Sequence, residues 1–228
     1  MQLTQPADEK STASQTARIL LEVGAVQFRP AEPFILASGE PSPVYVDCRR
    51  IISFPKQRRV ITEFMVQMIF SAQQAAGPFD NIAGGETAGI PFAALVAERM
   101  ELPMSYIRKR PKGYGRNSRI EGVMEAESNV VLVEDLSTDG ASKLHFVQAI
   151  RETGAFCAHS AVILGYGIFP AAEARVAAQG LSIHSLCAMR DLVRIAEING
   201  RLRGGDLQEL QDFMCAPESW RLRNSRPG

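Results

Sequence analysis

Two adjacent carboxylates, Glu134 and Asp135, follow a run of apolar residues in the segment VVLVEDLSTDGASK, residues 130–143. A short apolar run bounded by turn residues is typical of a buried strand, so this acid pair marks a strand end. Ionised carboxylates only accept hydrogen bonds, which suits them to the paired hydroxyl groups of a sugar. A structural interpretation is also open, in which Asp135 caps the next helix and Glu134 faces solvent.

A turn rich in hydroxyl groups separates the acid pair from the next helix. We call it the phosphate turn, and its residues are Ser137, Thr138, Asp139, Gly140, Ala141 and Ser142. Backbone N–H groups are free where a helix begins, and the helix dipole is positive there, so the turn predicts a phosphate site. The negative charge of the Asp139 carboxylate would repel a bound dianion, so we expect this side chain to point outward or to cap the helix.

Two common nucleotide-binding motifs are absent from the sequence. No G-x-x-x-x-G-K-[ST] segment occurs, which excludes a Walker loop, and the candidate dinucleotide motif at Gly165 and Gly167 meets Pro170 where a third glycine belongs. A phosphate turn behind two carboxylates instead predicts a phosphorylated sugar. Its 5′-phosphate would lie on the turn and its ribose hydroxyls would donate to the acid pair.

A second cluster is cationic and encloses two glycines, Gly113 and Gly115. We call residues 108–119 the cationic loop, and its basic residues are Arg108, Lys109, Arg110, Lys112, Arg116 and Arg119. Such charge density suits a departing pyrophosphate, whose charge must be stabilised in the transition state. The glycines would let the segment open for substrate and close over it. For the charge run alone, a solvated surface loop is the alternative interpretation.

The elements that position these residues alternate in type. The sequence predicts strands at 79–85, 103–109, 129–135, 158–167 and 182–189, and helices at 55–77, 89–101, 141–154, 170–180 and 189–200. Apolar strands separated by helices predict an α/β fold, with a parallel sheet covered on both faces by helices. Ligands of such sheets bind beyond the carboxyl ends of the strands, where the acid pair lies.

The domain organisation follows from the same pattern. Residues 1–10 are expected to form a disordered tail, and a predicted short helix with two short strands indicates a small N-terminal hood over residues 11–54. The core spans residues 55–200, and residues 201–228 are expected to form a C-terminal helix and tail. No repeat or low-complexity linker interrupts the chain.

Composition narrows the class of protein. The 228 residues carry a net charge of zero, which argues against nucleic acid or anionic lipid as a partner. The sequence starts without an apolar signal segment and has no apolar run near the ~20 residues that span a bilayer. Its four cysteines are far apart, as expected of reduced thiols: Cys48, Cys157, Cys187 and Cys215. These features predict a soluble cytoplasmic protein with no membrane partner.

Four segments together resemble a known family. The acid pair and the phosphate turn are similar to the 5-phosphoribosyl-1-pyrophosphate (PRPP) signature of the type I phosphoribosyltransferases. Within that family, the similarity is to the orotate phosphoribosyltransferases, over about residues 18–195. The segments that carry it are LASGEPSPVYVDCR (36–49), GGETAGIPFA (84–93) and IRKRPKGYGRNSRIEG (107–122).

The resemblance implies an activity and a set of partners. The enzyme would transfer the phosphoribosyl group of PRPP to orotate, giving orotidine 5′-monophosphate and pyrophosphate in UMP synthesis. It would use Mg²⁺, bound through PRPP near Glu134 and Asp135. It would form a homodimer in which the cationic loop of one subunit reaches the active site of its neighbour.

The resemblance also assigns site residues. The expected catalytic residues are Lys109, Lys112 and Asp135. The residues expected to bind PRPP are Arg108, Lys109, Lys112, Tyr114, Glu134, Asp135, Ser137, Thr138, Asp139, Gly140, Ala141 and Ser142. Those expected to bind orotate are Phe34, Ser38 and Thr138.

The sequence departs from the family pattern at four places. Tyr114 stands where histidine is usual, and Ala37 and Ala88 stand where some members have lysine. After the strand that follows the signature helix, no arginine occurs before Arg175. Orotate is therefore expected to be held by backbone amides near Phe34–Ser38 and by Thr138.

Two other functions fit the PRPP signature. One is a phosphoribosyltransferase for a different nucleobase, because the signature is the same and only the base contacts differ. The other is a non-enzymatic regulator that binds PRPP. Zero net charge and the presence of the loop lysines favour the enzymes.

Overall fold

The computed structural model describes residues 10–36, 38–111 and 119–225. Its strands, in chain order, are β1 (Val26–Phe28), β2 (Phe34–Ile35), β3 (Pro41–Ser42), β4 (Val44–Val46), β5 (Asn81–Gly85), β6 (Met104–Ile107), β7 (Ile120–Glu121), β8 (Asn129–Ser137), β9 (Phe156–Gly165) and β10 (Ser182–Ala188). Its helices are α1 (Thr12–Glu22), α2 (Pro55–Ala76), α3 (Gly89–Met100), α4 (Ala141–Arg151), α5 (Pro170–Ala178), α6 (Met189–Ile198), α7 (Gly204–Cys215) and α8 (Pro217–Asn224). A 3₁₀ helix spans Cys48–Ser53.

The chain divides into two compact units. The sheet unit is Pro55–Leu186, and the terminal unit consists of the described parts of Met1–Phe54 and Cys187–Gly228. The four-part division expected from the sequence stays a prediction. No helix in the described ranges has the length and apolarity that a membrane crossing requires.

A six-stranded sheet in the order β10-β9-β8-β5-β6-β7 organises the sheet unit. Strand β5 runs parallel to β6 and β8, β8 runs parallel to β9, and the short β7 pairs antiparallel with β6. The α/β class and the mostly parallel sheet confirm the sequence prediction. Helices α2, α3 and α4 pack against the strands.

The core explains why the strands are apolar along their length. Val130 to Val133 of β8 are at most 1% exposed, because helices cover the sheet. From α4, Phe146 and Ile150 pack on Leu132 in the same cluster. Each fully buried aliphatic side chain of this kind contributes about 1.5–3 kcal/mol to folding.

Strand register determines what meets at the sheet edge. Gly85 of β5 lies opposite Ile107 of β6, and Gly84 lies opposite Val133 of β8. Because these strands are parallel, their carboxyl ends meet at one edge of the sheet. The residues that follow β5 therefore come next to the acid pair of β8, and those that follow β6 lie on the far side of β5 at the same edge.

In the terminal unit, the N-terminal and C-terminal parts of the chain pack together. Helix α1 packs on α6, and Arg201 donates to the carbonyl oxygen of Leu21 at 3.0 Å. Trp220 of α8 is fully buried, lies edge-on to Phe213 at 5.2 Å and donates to Glu209 at 2.8 Å. The C-terminal residues thus complete the core of the unit that contains the N-terminal hood.

Short elements of the terminal unit differ from the sequence prediction. Among the described residues of the hood are four strands of two or three residues, where two were expected. Such strands are too short to show a periodic pattern. The expected C-terminal helix is divided into α7 and α8 at Pro217, whose ring and missing N–H favour the first position of a new helix.

Candidate active site

The loops that follow β5 and β6 are joined through Glu86. Its backbone N–H donates to the carbonyl oxygen of Ile107 at 2.9 Å, and its carboxylate accepts from the backbone N–H of Lys109 at 2.7 Å. The segment 84–89 therefore lies beside the first residues of the cationic loop. This contact holds the backbone of Lys109 beside the loop after β5, at the edge of the sheet where the strands have their carboxyl ends.

The cationic loop leaves the sheet as an excursion between β6 and β7. Its base is closed by the Arg108 N–H, which donates to the Arg119 carbonyl oxygen at 2.8 Å, and by Arg119 Nε, which donates to the Arg108 carbonyl oxygen at 3.0 Å. Arg119 Nη1 also donates to the His145 carbonyl oxygen of α4 at 3.3 Å. Arg119 thus closes the loop base, whereas the sequence grouped it with the cations that would contact pyrophosphate.

The other loop residues have different positions. The Arg108 guanidinium lies 3.6 Å from the carboxylate of Glu121, which keeps it near the loop base. Lys109 and Arg110 belong to the described residues, whereas Lys112 and Tyr114 lie outside them. The roles expected of Lys112 and Tyr114 therefore stay predictions.

The two carboxylates of the acid pair have different surroundings. Strand β8 continues to Ser137, so Glu134 and Asp135 both lie within it, and successive strand residues point to opposite faces. Glu134 is 6% exposed, whereas Asp135 is half-buried. The alternative in which Glu134 faces solvent is therefore wrong.

The Glu134 carboxylate forms a buried ion pair with Lys143 of α4. Glu134 Oε2 lies 3.2 Å from Lys143 Nζ, and Lys143 is 3% exposed. Lys143 Nζ also donates to the carbonyl oxygen of Leu136. No residue in the described ranges donates a hydrogen bond to Glu134 Oε1, which is buried.

Two glycines make room for this carboxylate. A Cβ atom at Gly85 would overlap the Glu134 carboxylate and would lie 2.7 Å from Phe146 Cε2. A Cβ atom at Gly89, the first residue of α3, would lie 2.5 Å from Glu134 Oε1. Gly85 and Gly89 thus leave the room that the Glu134 side chain occupies.

Burial changes the acidity of Glu134. Desolvation raises the pKa of this carboxyl from 4.5 to about 7, and the nearby Asp135 charge raises it as well. The positive charges of Lys143 and Lys109 act in the opposite direction. Near neutral pH, the Glu134 carboxyl group is therefore present in both its protonated and its ionised form. Lys109 is close enough for its charge to lower the pKa of this group.

The phosphate turn begins α4 with Gly140 in a left-handed conformation, φ 74°. The carboxylate of Asp139 accepts from the backbone N–H of Ala141 at 3.1 Å and lies 4.0 Å from the Arg175 guanidinium. This is the capping contact expected of Asp139. Thr138 is half-buried on the turn, while Ala141 and Ser142 are exposed on the first turn of α4.

The residues expected to bind orotate belong to both units. In the terminal unit, the Phe34 ring lies 5.7 Å from that of Tyr45 and 4.9 Å from the Arg29 guanidinium, and Ser38 accepts weakly from the Glu40 N–H at 3.5 Å. Thr138 lies on the phosphate turn of the sheet unit. Their joint contact with one base stays a prediction.

Comparison with known proteins identifies the family. The family model described as phosphoribosyl transferase domain matches residues 53–175. The chain is 58% identical over 209 residues to the orotate phosphoribosyltransferase of Cereibacter sphaeroides, covering 91% of this chain and 89% of that protein. The chain belongs to the orotate phosphoribosyltransferase family. The range that the family model matches contains the acid pair and the phosphate turn described above.

Two further members support this family assignment. The orotate phosphoribosyltransferase of Dinoroseobacter shibae is 52% identical over 219 residues, which cover 96% of each chain. The crystal structure of orotate phosphoribosyltransferase from Aeropyrum pernix has a TM-score of 0.68 and 28% sequence identity. It covers 82% of this chain and 99% of that one. The architecture of this chain is thus that of an orotate phosphoribosyltransferase.

Sequence reasoning missed Lys143. A signal was present, because Lys143, Phe146, Val147 and Ile150 are spaced i, i+3, i+4, i+7 and form the buried face of α4. A lysine on such a face requires a buried anionic partner. The only acids of the preceding strand are Glu134 and Asp135, so this pairing could have been deduced from the sequence.

The carboxylates suit a metal ion that is bound mainly by the substrate. The described part of the chain has no group of three or more His, Cys, Asp or Glu side chains arranged to hold a metal. Mg²⁺ needs few protein ligands when phosphate oxygens and water supply the rest. The half-buried Asp135 carboxylate is therefore a suitable partner for Mg²⁺ that arrives with a phosphorylated substrate.

Proposed function

We propose that this protein transfers the phosphoribosyl group of PRPP to orotate, forming orotidine 5′-monophosphate and releasing pyrophosphate. The observation that carries the proposal is the meeting of three features at one sheet edge. These are the acid pair, the phosphate turn and the base of the cationic loop. Membership of the orotate phosphoribosyltransferase family supports the choice of orotate over another base.

The phosphate turn binds the 5′-phosphate of PRPP. Backbone N–H groups at the start of α4 and the hydroxyls of Ser137, Thr138 and Ser142 are the donors, and the helix dipole adds positive potential. The Asp139 carboxylate accepts from the Ala141 N–H and lies 4.0 Å from the Arg175 guanidinium, whose positive charge offsets part of its repulsion of the dianion. The ribose hydroxyls donate to Asp135, and Glu134 lies beneath them.

The reaction breaks the bond between C1′ and the pyrophosphate oxygen and forms a bond between C1′ and N1 of orotate. The bonding electrons leave with pyrophosphate, and positive charge develops on the ribose ring. Lys109 and Lys112 stabilise the charge that accumulates on the leaving group. Arg108, bound to Glu121, supports the loop base from which these lysines extend.

Mg²⁺ is part of this proposal. Mg²⁺ bound with PRPP would supply positive charge that offsets the charge of the pyrophosphate. The Asp135 carboxylate would hold the ion directly or through water. We expect turnover to be lost with EDTA and restored by added Mg²⁺, whereas activity that persists in EDTA would contradict this part.

Orotate recognition is assigned to Phe34, Ser38 and Thr138. Backbone amides near Phe34 and Ser38 bind the carboxylate, and the Thr138 hydroxyl contacts the ring. A screen of orotate, uracil, hypoxanthine, guanine and adenine tests the assignment. Consumption of orotate alone is expected, and preference for a purine would overturn it.

We propose a cytoplasmic homodimer in which the cationic loop reaches the neighbouring subunit. The free thiols of Cys48, Cys157, Cys187 and Cys215 suit a reducing compartment.

The proposal of a dimer rests on the resemblance of residues 107–122 to the loop of the family. If sites are shared, mixing inactive Lys109→Ala and Asp135→Asn subunits regenerates activity, because hybrids hold one intact site. No recovery after subunit exchange would contradict a shared site.

The decisive test of the activity is direct. Loss of orotate absorbance is followed with purified protein, with and without PRPP and Mg²⁺. Orotate is expected to disappear only when both are present, with orotidine 5′-monophosphate formed in equal amount. PRPP binding without any turnover would favour the non-enzymatic regulator.

A further inference from the structure

We infer that Lys143 is a positioning residue for PRPP binding, which ties the end of β8 to the start of α4 and so holds the phosphate turn in its binding conformation. The inference rests on the proposed function and adds a residue to it. Lys143 lies on α4, just after the turn, and faces inward. It does not reach the substrate itself.

The geometry places the Lys143 ammonium group between both flanks of the turn. Its three acceptors are Glu134 Oε2 at 3.2 Å, the carbonyl oxygen of Leu136, and Ser142 Oγ at 3.4 Å. A lysine ammonium has three N–H donors, so the three contacts use its full capacity. Glu134 and Leu136 lie before the phosphate turn, and Ser142 lies in the first turn of α4.

The contact with Leu136 acts directly on the backbone. The carbonyl oxygen of Leu136 belongs to the planar peptide group that joins it to Ser137, the first residue of the phosphate turn. Fixing this oxygen fixes the orientation of the Ser137 N–H. It also restrains the strand end from which Asp135 projects. Lys143 therefore acts on the two groups expected to contact ribose and phosphate.

Stability alone does not account for a lysine at this position. Burying an ammonium and a carboxylate costs several kcal/mol per ion, and replacing a buried pair by apolar residues is often neutral or stabilising. The neighbours of Lys143 on the buried face of α4 are apolar, as Phe146, Val147 and Ile150 show. An apolar residue would fill this position at lower cost, but it could not hold the Leu136 carbonyl.

The ion pair of Glu134 and Lys143 also connects several segments of the site. A Cβ atom at Gly85 or Gly89 would overlap the Glu134 carboxylate, and Glu134 Oε2 accepts from Lys143. Three segments are thus held around one buried ion pair: the loop after β5, the end of β8 and the start of α4. Two of them carry residues of the proposed PRPP site.

The test is a double-mutant cycle with Glu134→Gln, Lys143→Met and the combined variant. The readouts are kcat, the KM for PRPP, the KM for orotate at saturating PRPP, and Tm. Lys143→Met is expected to raise the KM for PRPP at least tenfold and to change the KM for orotate less than twofold. In the Glu134→Gln background, Lys143→Met should still raise the KM for PRPP at least fivefold, because the Leu136 contact is lost.

The cycle separates positioning from charge balance. If Lys143 only neutralises Glu134, the combined variant has the same KM for PRPP as Glu134→Gln, and the inference is wrong. A KM for PRPP within twofold of wild type in Lys143→Met also overturns it. The Glu134→Gln background keeps the test valid if Lys143→Met alone does not fold, because no unpaired buried carboxylate remains.

A matched control removes stability as an explanation. Ile150→Val lies on the same buried face of α4 and lowers stability without touching the turn. It should lower Tm and leave the KM for PRPP unchanged. If Ile150→Val raised the KM for PRPP as much as Lys143→Met does, the effect of Lys143→Met would be explained by lower stability alone. Absence of turnover in the wild type rejects the proposed function, whereas wild-type turnover with normal Lys143→Met kinetics rejects the positioning role only.

Discussion

The carboxylate of Glu86 accepts a hydrogen bond from the backbone N–H of Lys109 at 2.7 Å. This contact joins the loop after β5 to the start of the cationic loop, and it acts on the backbone of a residue expected to be catalytic. Glu86 therefore fixes the position of the Lys109 backbone at the start of the cationic loop. A negatively charged residue can thus belong to a site for anions without contacting the anion.

Glu86→Ala removes this acceptor. We expect kcat/KM to fall about tenfold, since a charge-assisted hydrogen bond contributes about 1.5–3 kcal/mol and water replaces part of it. Glu86→Gln keeps an oxygen acceptor and should retain most of the activity. Steady-state kinetics of both variants measure the effect, and equal loss in the two would assign the role to the charge rather than to the hydrogen bond.

Lys109→Ala tests the leaving-group contact. We expect kcat to fall about 10²- to 10³-fold, because a charge that stabilises the transition state is removed. Lys56→Ala, at an exposed position in α2, makes the same change in net charge and should keep wild-type turnover. Turnover near wild type in Lys109→Ala would show that the loop assignment is wrong.

The raised pKa of Glu134 predicts a pH dependence of stability. The folded protein holds the Glu134 proton more tightly than the unfolded chain, so this group contributes stability that is fully present below pH 4.5. The contribution is lost as pH rises through the folded pKa of about 7. The shift corresponds to about 3 kcal/mol at most. Glu134→Gln should remove this loss.

Urea unfolding at pH 5 and pH 8 measures the effect. The free energy of unfolding of the wild type should fall more between these two values than that of Glu134→Gln. Other titrating groups affect both proteins alike, so the difference between them isolates Glu134. If the free energy of unfolding fell by the same amount in both proteins, the raised pKa of Glu134 would be contradicted.

Gly85→Ala should destabilise the sheet unit. Its Cβ would overlap the Glu134 carboxylate and press on Phe146, and overpacking of this kind costs about 1–3 kcal/mol. Gly205→Ala is the control, because nothing lies within 4 Å of its Cβ position in α7. That change should raise stability by about 0.5–1 kcal/mol. Chemical denaturation compares the two, and a neutral Gly85→Ala would contradict the packing of Glu134.

Asp139→Asn removes a negative charge from the phosphate turn and keeps an oxygen that can accept from the Ala141 N–H. We expect the KM for PRPP to fall about two- to fivefold, as a charge unfavourable to an anion at a helix N-terminus is lost. Asp206→Asn, in the first turn of α7, makes the same change elsewhere. A higher KM in Asp139→Asn would indicate that the carboxylate assists binding.

The sequence by itself determined the elements with long periodic patterns and the residues with distinctive chemistry. Alternating apolar strands and amphipathic helices predicted the α/β sheet, and the adjacent acids, the hydroxyl-rich turn and the cationic run indicated a phosphoribosyl site. These features are local, so a short window of sequence contains them. The four short hood strands were not predicted correctly, because pairing with distant segments rather than periodicity defines them.

Only the tertiary structure decided how the acid pair is used. Neighbouring carboxylates look equivalent in sequence, yet β8 turns Glu134 into the core and leaves Asp135 half-buried. The partner of Glu134 comes from the next helix, and the space for it comes from two glycines on β5 and α3. Burial and ion pairing depend on what several segments bring together in space, and their order along the chain does not contain that information.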